Sequence, residues 1–453
     1  MAEVRPFRGL RFDPSQVDLS AVVCPPYDVI SPTEQQAYHA RDAHNIVRVE
    51  LGLAPTDPRV PGNRYALAAD ALARWRQEGI LVPDGKPAMY LYEQQFSLGD
   101  RPLARRGLLV AGRLHDWSEG AVLPHEGTRA GPKEDRLALL RATETNVSPL
   151  WLLYDDGDGR VGAAVAAGWE QALDGVAESG GERHTLRVVD EPAALRAVVD
   201  AFAGRPLYIA DGHHRYETAQ IYRDERRQAA GQADPDAGYE FALMLLVALD
   251  DPGLVVLPTH RLVRNLDRSP DEVREALARW LSLTLLTLPD GDDAAVGSAV
   301  ERAVAEAGKR SHAFALYERG GAWLLRPRDD VDWRALLPGG HSDAWQGLDV
   351  AMLDALVIRG PCGISAEGEA AHADATSHAP SDKLAYVSNV AGAVTAVRSG
   401  EADQAYFLNP TRVEQVCAVA AAGDRMPPKS TYFVPKPVTG LVLHLLDGTR
   451  PRP

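Results

Sequence analysis

Asp211-Gly212-His213-His214-Arg215 is the part of this sequence best suited to chemistry. It follows the short apolar run Leu207-Tyr208-Ile209 and precedes a helical stretch from Tyr216 to about Ala230. A strand that passes through a glycine turn into a helix leaves the first helical N–H groups unpaired, at the positive end of the helix dipole. Gly212 lets a ligand come close to the backbone. His213, His214 and Arg215 add donors, and a guanidinium can hold a phosphate by two parallel bonds. The chemistry expected here is recognition of a phosphate or carboxylate. A turn with Asp211 as N-cap and solvated histidines would read the same, but two histidines and an arginine together beside a strand favour function.

Two other segments gather suitable groups. Pro124-His125-Glu126-Gly127-Thr128 is followed by Arg129, Lys133, Asp135 and Arg136, so a histidine, carboxylates, a hydroxyl and cations crowd together. General acid–base work needs an imidazole or carboxylate held near a substrate proton. Glu126 is the candidate base, with His125 beside it and Thr128 and Arg136 as substrate contacts; a salt-bridged surface loop would look identical. Met426–Lys436 offers Lys429, Ser430, Thr431 and Lys436 to an anion, although proline and lysine also protect a sheet edge.

Weaker candidates for substrate contact are Tyr27 and Asp28 after Pro25-Pro26, and Asn45 and Arg48, which a turn and a buried polar pair would explain equally. His260 ends a strand, where open α/β sheets place ligands, but a lone His-Arg there is also structural. His213, His214 and His125 could converge on an ion, yet no zinc-type spacing supports it. P-loop, dinucleotide-binding glycine and nucleophile-elbow patterns are absent from the sequence.

The elements that position these groups follow from pattern. Ser31-Pro32-Thr33-Glu34 starts a helix as a capping box, and Tyr65–Gln77 repeats apolar residues on one helical face. Ala88–Phe96 and Arg105–Leu114 form a hairpin around Gly99-Asp100. After the polar turn 155–160, a helical stretch leads to the strand before Asp211. Phe241–Leu249 and Leu254–Pro258 read as a second hairpin, Phe314–Tyr317 and Ala322–Leu325 as a third, with a capped helix from Ser269 to near Trp280 between them. The C-terminal part alternates strand Leu384–Val387, helix Ala391–Arg398, strand Ala405–Leu408 and helix Arg412–Ala421. Residues 363–382 hold almost nothing large and apolar and read as a mobile surface loop.

At 453 residues, the chain is long for one core. The expectation is an α/β protein of the mixed α+β kind, in regions 1–200, 201–345 and 346–453. Hydrophobic residues at 45% and charged residues at 25% describe a globular protein. No apolar run spans a membrane, and no secretory leader is readable. Cys24, Cys362 and Cys417 lie in no metal or disulfide spacing, which fits a cytoplasmic protein. A net charge of −15 argues against binding duplex DNA, whose affinity comes from cations neutralising phosphates. It leaves a small anionic or hydroxylated substrate open.

Taken together, Arg5–Arg11, Pro25–Ile30, Pro124–Thr128 with Asp135-Arg136-Leu137, Asp211–Arg215 and Met426–Phe433 identify the chain as resembling one prokaryotic family over nearly its whole length, the domain-of-unknown-function family numbered one thousand and fifteen, sometimes given a ParB-like label. The D-G-H-H-R turn is similar to the phosphate-binding turn of the ParB/sulfiredoxin superfamily, which includes CTP switches, sulfiredoxins and a kinase of free L-serine. That similarity implies a ParB/sulfiredoxin-like portion around the turn. In it, Asp211 to Arg215 would bind the phosphates of a nucleoside di- or triphosphate, with Asp211 near Mg²⁺.

The function expected is therefore a nucleotide-dependent small-molecule kinase with an alcohol acceptor, free L-serine being one. A phosphoester hydrolase using the same anion site and a ParB-like nucleotide-binding protein without catalysis are the alternatives. Catalysis would fall to Glu126, His125 and Asp211. His125-Glu126 and the Lys429–Lys436 segment are expected to fold back onto the Asp211 turn as one composite site.

Overall fold

The computed structural model describes residues 1–128, 130–232, 234–364 and 383–446. Arg129 and residues 365–382 of the expected mobile loop lie outside them. The protein is mixed α/β and forms two compact units, both discontinuous in sequence. The first comprises Met1–Pro124, Thr128–Val255 and Pro435–Pro453; the second comprises His125–Gly127 and Val256–Val434.

A nine-stranded mixed sheet organises the first unit. Its spatial order is Val122–Leu123, Leu207–Asp211, Leu150–Tyr154, Phe241–Ala248, Arg101–Arg113, Met89–Leu98, Glu182–Val189 and Gly175–Ser179, with Val4–Arg5 added beside Arg101–Arg113. Met89–Leu98 and Arg101–Arg113 are the expected hairpin. Phe241–Ala248 is central, antiparallel to Arg101–Arg113 and parallel to Leu150–Tyr154. It does not pair with Val255–Leu257, so the hairpin expected around Pro252-Gly253 is not formed. The reason lies in the sequence FALMLLVA, almost wholly buried: a strand with two apolar faces needs a covered, central place, where both edges are paired.

A second correction concerns the stretch before Asp211. Helices Arg160–Trp169 and Pro192–Phe202 are separated by an antiparallel hairpin, Gly175–Ser179 with Glu182–Val189. Gly180 and Gly181 make its turn at φ 62° and 82°, conformations that favour glycine. Helices 160–169 and 192–202 pack with the helix His213–Ala230 against the sheet through Val161, Val198, Phe202, Tyr216 and Ala219. Burying each large aliphatic or aromatic side chain stabilises the unit by roughly 1.5–3 kcal/mol. The helices Pro32–Arg41, with the expected capping box, and Arg64–Gln77 enclose a second core around Trp75, Ile46 and Leu443.

The second unit is built on a six-stranded antiparallel sheet, ordered Leu281–Leu285, Gly321–Pro327, Phe314–Glu318, Gln404–Leu408, His260–Val263 and Leu384–Val387. Side chains alternate across it. Ala315, Tyr317, Ala405 and Phe407 meet the helices Asp293–Gly308 and Val390–Ser399, while Phe314, Leu316, Tyr406 and Leu408 meet Val273, Leu277, Leu353 and Val416. The expected hairpin at Gly320-Gly321 and the C-terminal strand–helix alternation are present here.

Candidate active site

Leu207–Asp211 delivers the central turn. Leu207 and Ile209 anchor the strand in the core, and a register shift after Ile209 brings Asp211 opposite Trp151. Gly212 then takes φ 98° as N-cap of the helix His213–Ala230, which starts three residues before the sequence pattern suggested and has no side-chain cap. A Cβ on Gly212 would stand 3.0 Å from Leu150 and 3.1 Å from the Arg215 guanidinium. His213 is buried in the first turn, and the His214 carbonyl accepts from the Thr218 hydroxyl at 2.7 Å.

Asp211 sits between two cations. Lys436 Nζ is 2.6 Å from Oδ1, and Arg215 Nη2 donates to Oδ2 at 2.6 Å while its Nη1 donates to the Pro149 carbonyl at 2.6 Å. The same lysine ion-pairs with Asp28. Burial alone would raise the Asp211 carboxyl, but Lys436 and Arg215, with His213 beyond them, hold it well below the usual carboxylate range. Lys436 responds in kind: burial would lower it, yet Asp211 and Asp28 raise it above its ordinary value. Asp28 keeps one buried oxygen, Oδ1, without a hydrogen-bond partner among the described residues.

Tyr27 and Arg136 extend this cluster. The Arg136 guanidinium lies 4.1 Å over the Tyr27 ring, donates to the Glu50 carbonyl at 3.1 Å and pairs with Asp135 at 2.5 Å. Burial pushes the Tyr27 phenol up to about 12, against the pull of Arg136. Glu50, which sequence reading missed, accepts from the Ser148 hydroxyl at 2.6 Å and from the Tyr27 amide at 3.3 Å. Glu50, Arg136, Ser148 and Arg215 all line one small cavity of about 60 Å³. Asn45 and Arg48 instead brace neighbouring backbone: Asn45 donates to the Ala21 carbonyl at 2.7 Å, and Arg48 to that of His39 at 2.7 Å. Thr128 and Lys133 both reach Glu217 on the helix after Gly212, the lysine at 2.9 Å.

The Lys436 segment is held by groups that sequence reading also missed. Arg105 donates to the Pro435 carbonyl at 2.6 Å, Gln94 to the Lys436 carbonyl at 3.1 Å, and the Val438 amide to the Tyr92 hydroxyl at 3.3 Å. Arg105 is itself buried, 3.9 Å over the Trp151 ring. The signal available in sequence is a polar pair, Gln94 and Arg105, set opposite each other in a hairpin of otherwise mostly apolar inward residues.

His125, Glu126, Lys429, Ser430, Thr431 and His260 belong to the second unit. There His125 Nε2 is 3.0 Å from the Thr431 hydroxyl, which also reaches Glu126 at 3.4 Å. Lys429 adopts φ 58°, and its carbonyl accepts from Arg261 at 3.3 Å; the Ser430 carbonyl accepts from Thr411 at 2.8 Å. His260 is fully buried in the sheet, its Nδ1 accepting from the Leu408 amide at 3.4 Å, and burial lowers it to about 4. Of the composite site expected from sequence, the first unit contains the Lys436–Asp211 join.

The arrangement does not fit a magnesium ion held by Asp211. Both its oxygens already face cations, and among the described residues no group of three or more His, Cys, Asp or Glu could hold a metal. What the site offers is a helix N-terminus, two largely buried cations balanced by carboxylates, and a carboxylate oxygen, Asp28 Oδ1, without a hydrogen-bond partner among the described residues.

The family described as "Protein of unknown function (DUF1015)" matches residues 4–351. Among solved structures, a free serine kinase in complex with AMP is similar at 16% identity, covering 72% of this chain and 87% of that one, with a TM-score of 0.31. A conserved hypothetical protein from Pyrococcus furiosus has 16% identity, 72% and 90% coverage and a TM-score of 0.32. SbnI with a C-terminal truncation, from Staphylococcus aureus, has 11% identity, 75% and 89% coverage and a TM-score of 0.31. No curated protein is similar enough to this chain to count as a match. No helix among the described residues is long and apolar enough to cross a membrane.

Proposed function

The chain belongs to the family described as Protein of unknown function (DUF1015), and from the geometry of its first unit we propose that it is a nucleotide-dependent kinase of a small hydroxylated molecule. The observation that carries this reading is Lys436 and Arg215 on Asp211, beside the N-terminus of the helix His213–Ala230, whose N-cap is a glycine. Phosphoryl transfer depends mainly on positioning and on neutralising charge spread over the phosphoryl oxygens. A helix N-terminus supplies oriented N–H groups and positive potential. Arg215, anchored at both ends of its fork, and Lys436, fixed by two carboxylates, supply cations that need not reorganise when phosphate arrives.

The acceptor hydroxyl needs a base, and Asp28 Oδ1 is a carboxylate oxygen with unused lone pairs next to Lys436. In the step proposed, the acceptor oxygen attacks the terminal phosphorus and its proton passes to Asp28. The bond from phosphorus to the bridging oxygen breaks, and the nucleoside diphosphate (from a triphosphate donor) or monophosphate (from a diphosphate donor) leaves. Free L-serine, implied by the resemblance of the D-G-H-H-R turn, is the first acceptor to test.

Thermal shift with ADP, ATP and CTP, with and without Mg²⁺, tests the binding half. One nucleotide is expected to raise the melting temperature, and the paired change Arg215→Ala with His214→Ala to abolish that rise while circular dichroism stays native. Phosphorus NMR with serine and other alcohols tests transfer. Nucleotide affinity that survives the paired change would overturn the assignment of the site.

A further inference from the structure

An open cleft of about 1020 Å³ lies in the first unit, where the turns of the two hairpins approach the short helix Leu19–Val22. Phe96, Pro102 and Leu103 give it an apolar wall. Most of its polar groups are already engaged. Asp18 caps the short helix through the Ser20 amide at 2.9 Å, Glu178 pairs with Arg183 at 3.3 Å, and the Arg41 guanidinium lies 4.5 Å over the Tyr38 ring.

Two groups are left over. Ser179 is 7% exposed, and its hydroxyl has no hydrogen-bond partner among the described residues. Glu182 accepts from Gln94 at 2.6 Å through Oε2. Its nearest ion-pair neighbour is His184 at 3.7 Å, whose imidazole burial lowers to about 4, so it is neutral near pH 7. Burial raises the Glu182 carboxyl above its ordinary value, against Gln94 and Arg105. A partly buried carboxylate whose charge Arg105 offsets only in part, at the wall of a cleft, gains from a cation that arrives with an apolar body to cover the rest.

We propose that this cleft binds a small organic cation, a primary ammonium on an apolar body, with Glu182 taking the charge, the Ser179 oxygen accepting one ammonium hydrogen and Phe96 and Leu103 facing the body. The site is separate from the phosphate cluster and does not depend on the kinase reading. Gln94 nevertheless links the two, since its amide donates both to Glu182 and to the Lys436 carbonyl.

Benzylamine is a suitable probe, titrated into the full chain at pH 7 by calorimetry, with benzyl alcohol as the neutral isostere. Saturable binding of the amine and none of the alcohol is expected. Glu182→Gln should weaken the amine at least tenfold and Ser179→Ala severalfold, with unchanged melting temperatures. Leu103→Lys, which puts a like charge at the wall without touching Glu182, should abolish binding and serves if Glu182→Gln does not fold. No saturable binding of benzylamine, equal binding of the alcohol, or undiminished binding by folded Glu182→Gln or Leu103→Lys would overturn the proposal.

Discussion

Lys436 Nζ stands 2.6 Å from Asp211 Oδ1 and ion-pairs with Asp28 through the same ammonium, although Asp28 and Lys436 are 408 positions apart in the chain. One largely buried cation thus ties the end of a sheet strand to the Pro-Pro-Tyr-Asp turn near the start of the sequence. Its structural consequence and its proposed role in binding can be separated by experiment.

Removing one partner of a buried ionic cluster leaves the others desolvated and uncompensated. Lys436→Met is therefore expected to lower stability by about 3–5 kcal/mol, read from urea unfolding. Adding Asp28→Asn should recover part of that loss, because it neutralises one carboxylate left without its counter-ion. A single variant as stable as the parent would show that the tie contributes nothing.

Gly212→Ala tests the turn. At φ 98° an alanine costs roughly 1–2 kcal/mol from backbone strain, and its Cβ would crowd Leu150 and Arg215. A modest fall in melting temperature should come with a larger fall in nucleotide affinity, because the guanidinium is displaced. Equal affinities would argue that no ligand uses this turn.

Asp28→Asn separates binding from chemistry. If Asp28 accepts the acceptor's proton, phosphoryl transfer should fall by about 10²–10⁴-fold, with the nucleotide dissociation constant changed far less. Transfer at the parent rate would remove Asp28 from the mechanism.

His184 and His444 make the first unit acid-sensitive. Burial lowers them to about 4 and about 3 from the ordinary 6.5, so the folded chain refuses protons that the unfolded chain accepts. Their effect is absent above about pH 6.5, grows as pH falls below it, and is complete for His444 near pH 3. Neither ring nitrogen of His444 has a hydrogen-bond partner among the described residues. His444→Leu should therefore stabilise the chain by roughly 1–3 kcal/mol and flatten the loss of stability between pH 7.5 and 5. Chemical denaturation at the two pH values checks both.

Local features were legible in the sequence where a few neighbouring residues decide the structure. The capping box at Ser31–Glu34, the hairpin turn at Gly99-Asp100 and the strand, glycine and helix around Asp211 are of this kind. The hairpin at Gly180-Gly181 is not legible in the same way, because its strands carry mixed alternation beside helix-forming stretches.

The sequence alone carries the mixed α/β class, the family and the strand, glycine and helix around Asp211, because periodicity, caps and glycines act over a few residues. It also marked Lys436 and Asp28 as polar residues in proline-stiffened segments. Long-range packing sets the rest: Lys436 and Asp28 meet at Asp211, Gln94 and Arg105 clasp the backbone around Lys436, and Glu50 completes the cluster with Arg136. Packing likewise buries His260 fully within the sheet. The reason is physical: ion pairs and hydrogen bonds act over a few ångströms of space, whereas position along the chain says nothing of which distant strands the core brings side by side.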